Sequence, residues 1–297
     1  MLVDLFKRFR FSPIENYQYV GFGSVAFVDH RMMHRALGIT SLISIEDTDD
    51  EFDQTRFEHN KPYRGIRLRW GSASTVLPEL NFSRPSLVWL DYDVGLRRSM
   101  ASDMATVVRN LPSGSFIGLT VAVSFPAERS AAASQVEHLK GNFSEFLNDD
   151  AAARDFQGPA YGEFARTVLG NLLARSLNDF QVGVMDPTQR RSLKQICNFR
   201  YKDGKAQMAT FGWIVVSAED LPRFDECAFE ALPFVRTGAT PFSITVPHVT
   251  PLEVREMERR LPDLLGTAEL DWIPQTDRQA FADSYRYLPS FAPIEQI

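Results

Sequence analysis

Residues Tyr17–Ser24 read Y-Q-Y-V-G-F-G-S, and this stretch decides the fold. A short apolar and aromatic run ends in two glycines and a serine, the pattern of a buried strand entering a tight turn. Ser24 is placed to cap a following helix. In that helix Val25, Phe27, Val28, Met32, Met33, Ala36 and Leu37 recur at roughly helical spacing until Gly38 ends it. Gly21 and Gly23 leave space for main chain to approach a ligand, where a Cβ would collide with it.

Working outward, Thr40–Ile45 (T-S-L-I-S-I) predicts a second strand that stops at Glu46. The acids Asp47, Asp49, Asp50 and Glu51 then suit the amino terminus of a helix running to about Asn60. Gly65–Trp70 (G-I-R-L-R-W), Ser86–Leu90 (S-L-V-W-L) and Phe116–Val123 (F-I-G-L-T-V-A-V) supply three more strands, with an amphipathic helix over 97–111 before the last. Five strand runs alternating with helices predict an α/β fold with a doubly wound, mostly parallel sheet of Rossmann-like type.

The pattern then changes. Residues 130–180 predict two or three helices, read as an insertion or lid. Residues 191–217 predict a terminal antiparallel hairpin around K-D-G-K (Lys202–Lys205), whose Asp-Gly pair favours a type I′ turn. T-P-L-E (Thr250–Glu253) has the form of a capping box opening a helix to about Leu261. A further short helix is expected from Asp277 to before Pro289. The domain reading is an N-terminal docking helix over 1–16, an α/β domain over 17–217, and a C-terminal extension over 218–297 packed on the core.

Composition narrows the function classes. With 44% hydrophobic and 24% charged residues over 297 positions the chain has the make-up of an ordinary globular protein. No stretch approaches the roughly 18–20 apolar residues of a membrane span. The amino terminus MLVDLFKRFRF lacks the continuous apolar core of a secretory signal, so a cytoplasmic location is expected. Cys197 and Cys227 form neither a disulfide framework nor a zinc pattern. A net charge of −6 argues against bulk capture of nucleic acid. Local basic clusters remain at Arg64, Arg67 and Arg69 and at Arg190, Arg191 and Lys194, and alternating arginines on a strand read first as a solvated face.

Glu46 lies about two dozen residues after the glycine turn, at the end of the second strand. An acid there accepts both ribose hydroxyls of an adenosine-containing cofactor; as a bare helix-start acid it would duplicate its neighbours. Asp29, His30 and His34 share the first helix, and the spacing of four puts both histidines on one face. That face reads as a polar stripe, with His30 close enough to the glycine turn to be a candidate for substrate contact.

Y-V-G-F-G-S, I-S-I-E, W-G-S-A-S-T-V-L-P-E-L and L-V-W-L-D-Y-D, in this order within residues 17–123, resemble the successive motifs of class I S-adenosylmethionine (SAM)-dependent methyltransferases. The likeness is greatest to the branch of catechol and caffeoyl-coenzyme A O-methyltransferases. It implies SAM as cofactor, with Gly21 and Gly23 under its amino-acid part, Ser24 on the same turn among the cofactor-binding residues, Glu46 on the ribose, and Ser72 and Ala73 beside the adenine. Asp91 would stand at the catalytic strand end, facing cofactor or acceptor, with Asp93 completing a D-x-D pattern. In that branch such aspartates help hold a divalent cation. Here the position after the fifth strand reads S-F-P (Ser124–Pro126), so the metal set is incomplete and none is assigned. The implied activity is methyl transfer to an oxygen or nitrogen of an acceptor, small or macromolecular, that no motif names. Two other readings stand beside it. One is a catalytically silent methyltransferase-like subunit or sensor with a protein partner or a second copy. The other is a nicotinamide-dependent enzyme, which fits less well because G-x-G-x-x-G fails at Ala26.

Overall fold

A computed structural model describes residues 1–266 and 268–288. The chain runs α1 (Leu2–Phe6), β1 (Gln18–Gly21), α2 (Val28–Leu37), β2 (Ser41–Glu46), α3 (Glu51–Asn60), β3 (Ile66–Trp70), α4 (Ala73–Val76), β4 (Ser86–Gly95), α5 (Arg98–Asn110) and β5 (Phe116–Ala122). It continues through α6 (Arg129–Phe143), α7 (Ala160–Phe180), β6 (Arg191–Asp203), β7 (Ala206–Ser217), α8 (Leu221–Glu226), β8 (Phe242–Ser243), α9 (Pro251–Glu258) and α10 (Gln275–Ser284). The sheet order is β3-β2-β1-β4-β5-β7-β6-β8. β1 to β5 are parallel, and β7 runs antiparallel to both β5 and β6. This is the expected doubly wound α/β sheet with its antiparallel hairpin.

The order of strands makes the site. After β3 the chain crosses back over β2 and β1 to place β4 on the other side of β1, so the direction of winding reverses between β1 and β4. The crevice outside the carboxyl ends at such a switch point is where open α/β sheets bind ligands.

Each face of the sheet has its own cover. Val20, Ile43, Val88, Leu90 and Leu119 point to one side, where they pack with Met104 and Val107 of α5 and Val168, Leu169 and Leu173 of α7. The helices over 129–180 therefore do more than form a lid, since α7 is a layer of the core. On the other side Phe6 of α1 meets Phe116 edge-on at 5.0 Å, and Tyr19 packs under α2. The helix expected over residues 1–16 is thus a single α-turn at Leu2–Phe6, with Leu5 and Phe6 buried.

Three local expectations change. Helix α2 begins at Val28, not at Ser24, because Ser24 and Phe27 both sit at positive φ (47° and 49°) and the Phe27 N–H bonds Gly23 O at 2.9 Å in a tight turn. Two non-glycine residues in the left-handed region are uncommon and mark a constrained loop. The hairpin pairs Asp203 with Ala206, leaving Gly204 and Lys205 as loop residues. Left-handed φ falls on Gly204 alone (57°), the type II′ pattern and not I′. β4 runs on past Leu90, and its register with β5 breaks between Asp91 and Gly95.

The chain divides into two compact units, Met1–Phe242 and Ser243–Ile297. In the second, Thr250 and Glu253 form the reciprocal capping box at the start of α9. Met257, Leu264, Leu270, Ile273 and Phe281 make its small core. Pro289, the expected stop after α10, lies outside the described residues. Among the described residues no helix is long and apolar enough to cross a membrane.

Candidate functional site

The glycine turn is tightly enclosed. A Cβ on Gly21 would come 2.6 Å from Tyr19 Oη and 3.0 Å from Trp89 O, and one on Gly23 would come 2.2 Å from Ser44 Oγ. Both positions exclude any side chain, which brings the main chain of β1 against the end of β2. There Glu46 is buried, and its Oε1 accepts the Gly23 N–H at 2.9 Å and the Ser44 hydroxyl at 2.5 Å. Burial pushes this carboxyl above its ordinary value, while the bonds from Ser44 and Gly23 pull it down. Among the described residues Oε2 has no partner, so one carboxylate oxygen stays available to a ligand hydroxyl.

The third strand contributes the next wall. The Gly71 N–H bonds Glu46 O at 3.0 Å, and Gly71 adopts φ 121°, a conformation that favours glycine. Ser72 follows as the residue before α4, its Oγ 2.9 Å from Thr75 Oγ1, and Ala73 is the first residue of α4. Gly21, Gly23, Glu46, Ser72 and Ala73 thus lie on the carboxyl ends of three neighbouring strands and the turns that follow them. Ser24 is exposed on the turn. This set fits an adenosine cofactor: a side-chain-free stretch of main chain beside an acid with one uncommitted oxygen.

Across the switch point, Asp91 pairs in register with Thr120, and the four-residue step from Asp91 to Gly95 spans only two residues of β5. Such a bulge re-aims side chains at a sheet rim. Asp93 lies within it, exposed. Solvent reaches Asp91, yet enough protein surrounds its carboxyl to raise its pKa, opposed by the Thr120 hydroxyl and assisted by the charges of Asp93 and Asp203. Trp89 Nε1–H donates to Thr120 Oγ1 at 3.0 Å, and Thr120 and Thr210 share a 2.9 Å hydroxyl contact. Trp89, Thr120 and Thr210 form a polar row across β4, β5 and β7. Thr120 was legible in principle as the lone polar residue of F-I-G-L-T-V-A. Its partner on β7 was not, because that pairing is antiparallel and remote in sequence.

His30, expected to reach substrate, is fully buried. Its ring stands edge-on to Tyr19 at 5.0 Å, and Nε2 lies 3.0 Å from Ile43 O. Burial lowers its pKa to about 4, so it is a neutral core side chain. His34 bonds Ile39 O at 2.8 Å through Nδ1.

Asp29 is more enclosed than its place in a polar stripe suggested. Burial, with the charge of Asp91 as the second cause, raises its pKa to about 6. The Tyr19 hydroxyl, also influenced by Asp29 and Asp91, is buried with no hydrogen-bond partner among the described residues. A folded-state pKa above the ordinary carboxylate value means that the native state holds this proton more tightly than the unfolded chain. Stability therefore falls as pH rises from about 4 through about 6. Asp29→Asn, which carries no charge, is expected to be more stable than wild type at neutral pH by about 1–2 kcal/mol after allowance for solvent screening. The gain should vanish near pH 4. Urea unfolding at the two pH values checks this, and equal stabilities at neutral pH would refute it.

Several solved structures are similar to this chain. The LepI complex with SAM shares 11% identity at TM-score 0.39, covering 71% of this chain and 46% of LepI. This chain thus spans less than half of LepI. Cofactor-bound Rv0187 from MTB shares 15% at TM-score 0.37, covering 69% and 75% of the two chains. The fibrillarin pre-rRNA processing protein of Methanococcus jannaschii shares 10% at TM-score 0.37, covering 69% and 70%. Likeness at this level places no constraint on substrate. No curated protein matches the sequence. The family model described as "Putative O-methyltransferase" matches residues 1–296, and the chain belongs to that family.

Proposed function

We propose that the protein transfers the methyl group of SAM to a hydroxyl oxygen of an acceptor held beside Asp91. The observation that carries this reading is Glu46: a buried acid at the end of β2, tied by one oxygen to the glycine turn and open at the other. Glu46 Oε2 accepts from the ribose, Gly21 and Gly23 admit the amino-acid part with Ser24 on the same turn, and Ser72 and Ala73 border the adenine. When bound, SAM supplies a methyl group on a positively charged sulfur. Asp91, with Asp93 beside it, takes the acceptor hydroxyl's proton. A carboxyl raised above its ordinary range is a stronger base at neutral pH than a solvent-exposed one. The Trp89, Thr120 and Thr210 row holds its own hydrogen bonds in place and so keeps the floor of this site fixed. Most of the rate then comes from positioning donor and acceptor in line.

Titration calorimetry with SAM and S-adenosylhomocysteine tests the reading. Wild type should bind both, and Glu46→Ala should weaken binding about 10- to 100-fold, the loss of one hydrogen bond to a charged group. Failure of either ligand to bind wild type would sink the proposal. It would favour instead a silent module, a second reading for which one observation speaks: Phe180, Val182 and Met185 are exposed at the end of α7 and just beyond it, where a partner could cover them.

A further inference from the structure

The amino ends of the first three strands carry a separate feature. Between β3 and β4 the chain makes only the four-residue α4 and a 3-10 turn at Leu77–Glu79. That is too little to cover the outer part of the sheet face it lies on. What remains open is a cleft of about 530 Å³, within the size range of small-ligand sites. Gln18, Ser41 and Gly65, at or just before the starts of β1, β2 and β3, border it. At about 3.3 Å per residue, Gln18 is roughly 10 Å along β1 from Gly21, so the floor of the cleft at Gln18 lies toward the opposite end of β1 from the glycine turn, while Arg67 and Arg69 carry its wall along β3.

Its lining is lopsided in charge, with three arginines, Arg67, Arg69 and Arg84, against the single acid Glu79. Register with β2 places Arg67 and Arg69 on the face of Ile43 and Ile45, so the alternating arginines of β3 point into the cleft side of the sheet. Arg69 is paired with Glu79. Among the described residues Arg67 makes only a long 3.4 Å contact from its guanidinium to Ser41 Oγ. Among the described residues the Arg84 guanidinium has no partner. Two uncompensated guanidiniums in one concavity repel each other, in a chain whose net charge is −6. The floor is rigid and polar: buried Gln18 donates from Nε2 to Asn81 O at 2.9 Å and to Ser86 Oγ at 3.0 Å. Hydroxyls of Thr40, Ser41 and Ser83 complete the rim.

A phosphate monoester matches this arrangement. It carries close to two negative charges at neutral pH and three acceptor oxygens, to which guanidinium forks and hydroxyls donate. We propose that the cleft binds a phosphate monoester of sugar-phosphate or mononucleotide size, at a site independent of the methyl-donor pocket.

The test is calorimetry on the full chain with ribose 5-phosphate and uridine 5′-monophosphate, beside uridine and inorganic phosphate. One of the two esters should bind wild type. The Arg67→Gln, Arg84→Gln double variant should bind it at least about tenfold more weakly. Both arginines are exposed, so a thermal melt of the double variant should match wild type. Glu46→Ala should bind the ester as wild type does, which separates this site from the cofactor pocket. Binding should also weaken as salt is raised from about 50 to about 200 mM. The assignment is overturned if neither ester binds, if the double variant binds as wild type, or if uridine binds without its phosphate. It is equally overturned if inorganic phosphate binds as tightly as the esters, or if only a single-stranded oligonucleotide binds.

Discussion

Gly23→Ala is expected to weaken SAM binding at least about 100-fold and to cost about 2–3 kcal/mol of stability. The new Cβ would stand 2.2 Å from Ser44 Oγ, 2.7 Å from Phe27 Cδ1 and 2.9 Å from Glu46 Oε1. None of these neighbours is the loose end of a surface side chain. Ser44 and Phe27 are fully buried, and Glu46 is held by the two bonds described above. Relief requires Glu46 to leave the Gly23 N–H, so the proposed ribose acceptor is displaced while the turn is strained. Calorimetry with SAM and a denaturant melt on one preparation measure both effects. Gly141→Ala is the matched control: it lies in α6 with nothing within 4 Å of the added carbon, and it should bind SAM normally and gain a few tenths of a kcal/mol or more. Wild-type affinity in Gly23→Ala would detach the glycine turn from cofactor binding.

Phe116→Ala should destabilise the first unit by about 3–5 kcal/mol, the usual cost of removing a buried aromatic ring. Phe116 is fully buried on β5. Its ring occupies a hollow made by two glycines. A Cβ on Gly118 would come 2.8 Å from the ring, and one on Gly212, across the β5–β7 ladder, 2.6 Å from it. Phe6 of α1 closes the hollow edge-on at 5.0 Å. Deleting the ring leaves a void that glycine backbone cannot fill, and it releases the anchor of α1. Urea unfolding gives the number directly. A loss under about 1 kcal/mol would mean that α1 settles into the space.

The two predictions draw on different kinds of information. Gly23 stood out in the sequence because two glycines and an acid near the end of the next strand already suggest close approach to a ligand. Phe116 stood out only as one more apolar residue in a strand. Gly118 and Gly212 look like weak points of their strands until the register sets them opposite each other beneath the same ring. His30 shows the reverse error. A spacing of four puts His30 and His34 on one face of α2 but does not tell whether that face meets solvent or the sheet, and for His30 it meets Tyr19 and Ile43. The start of α2 was misplaced for a related reason, since Ser24 has the chemistry of a cap while the turn's contacts hold it at positive φ.

The sequence by itself determined the alternation of strands and helices, the glycine turn, the helix stop at Gly38 and the capping box at Thr250. These features depend on residues within one or two turns of each other, where propensity and spacing act directly. Only the tertiary structure decided which distant residues meet. Laying β4 against β1 brings Asp91 toward Tyr19 and Asp29, and laying β7 against β5 joins Thr120 to Thr210. The short connection between β3 and β4 leaves Arg67 and Arg84 facing one cleft. Those outcomes follow from strand order and from which face each helix covers, and both are settled by burial of apolar surface over the whole sheet, a quantity that no local stretch of sequence contains.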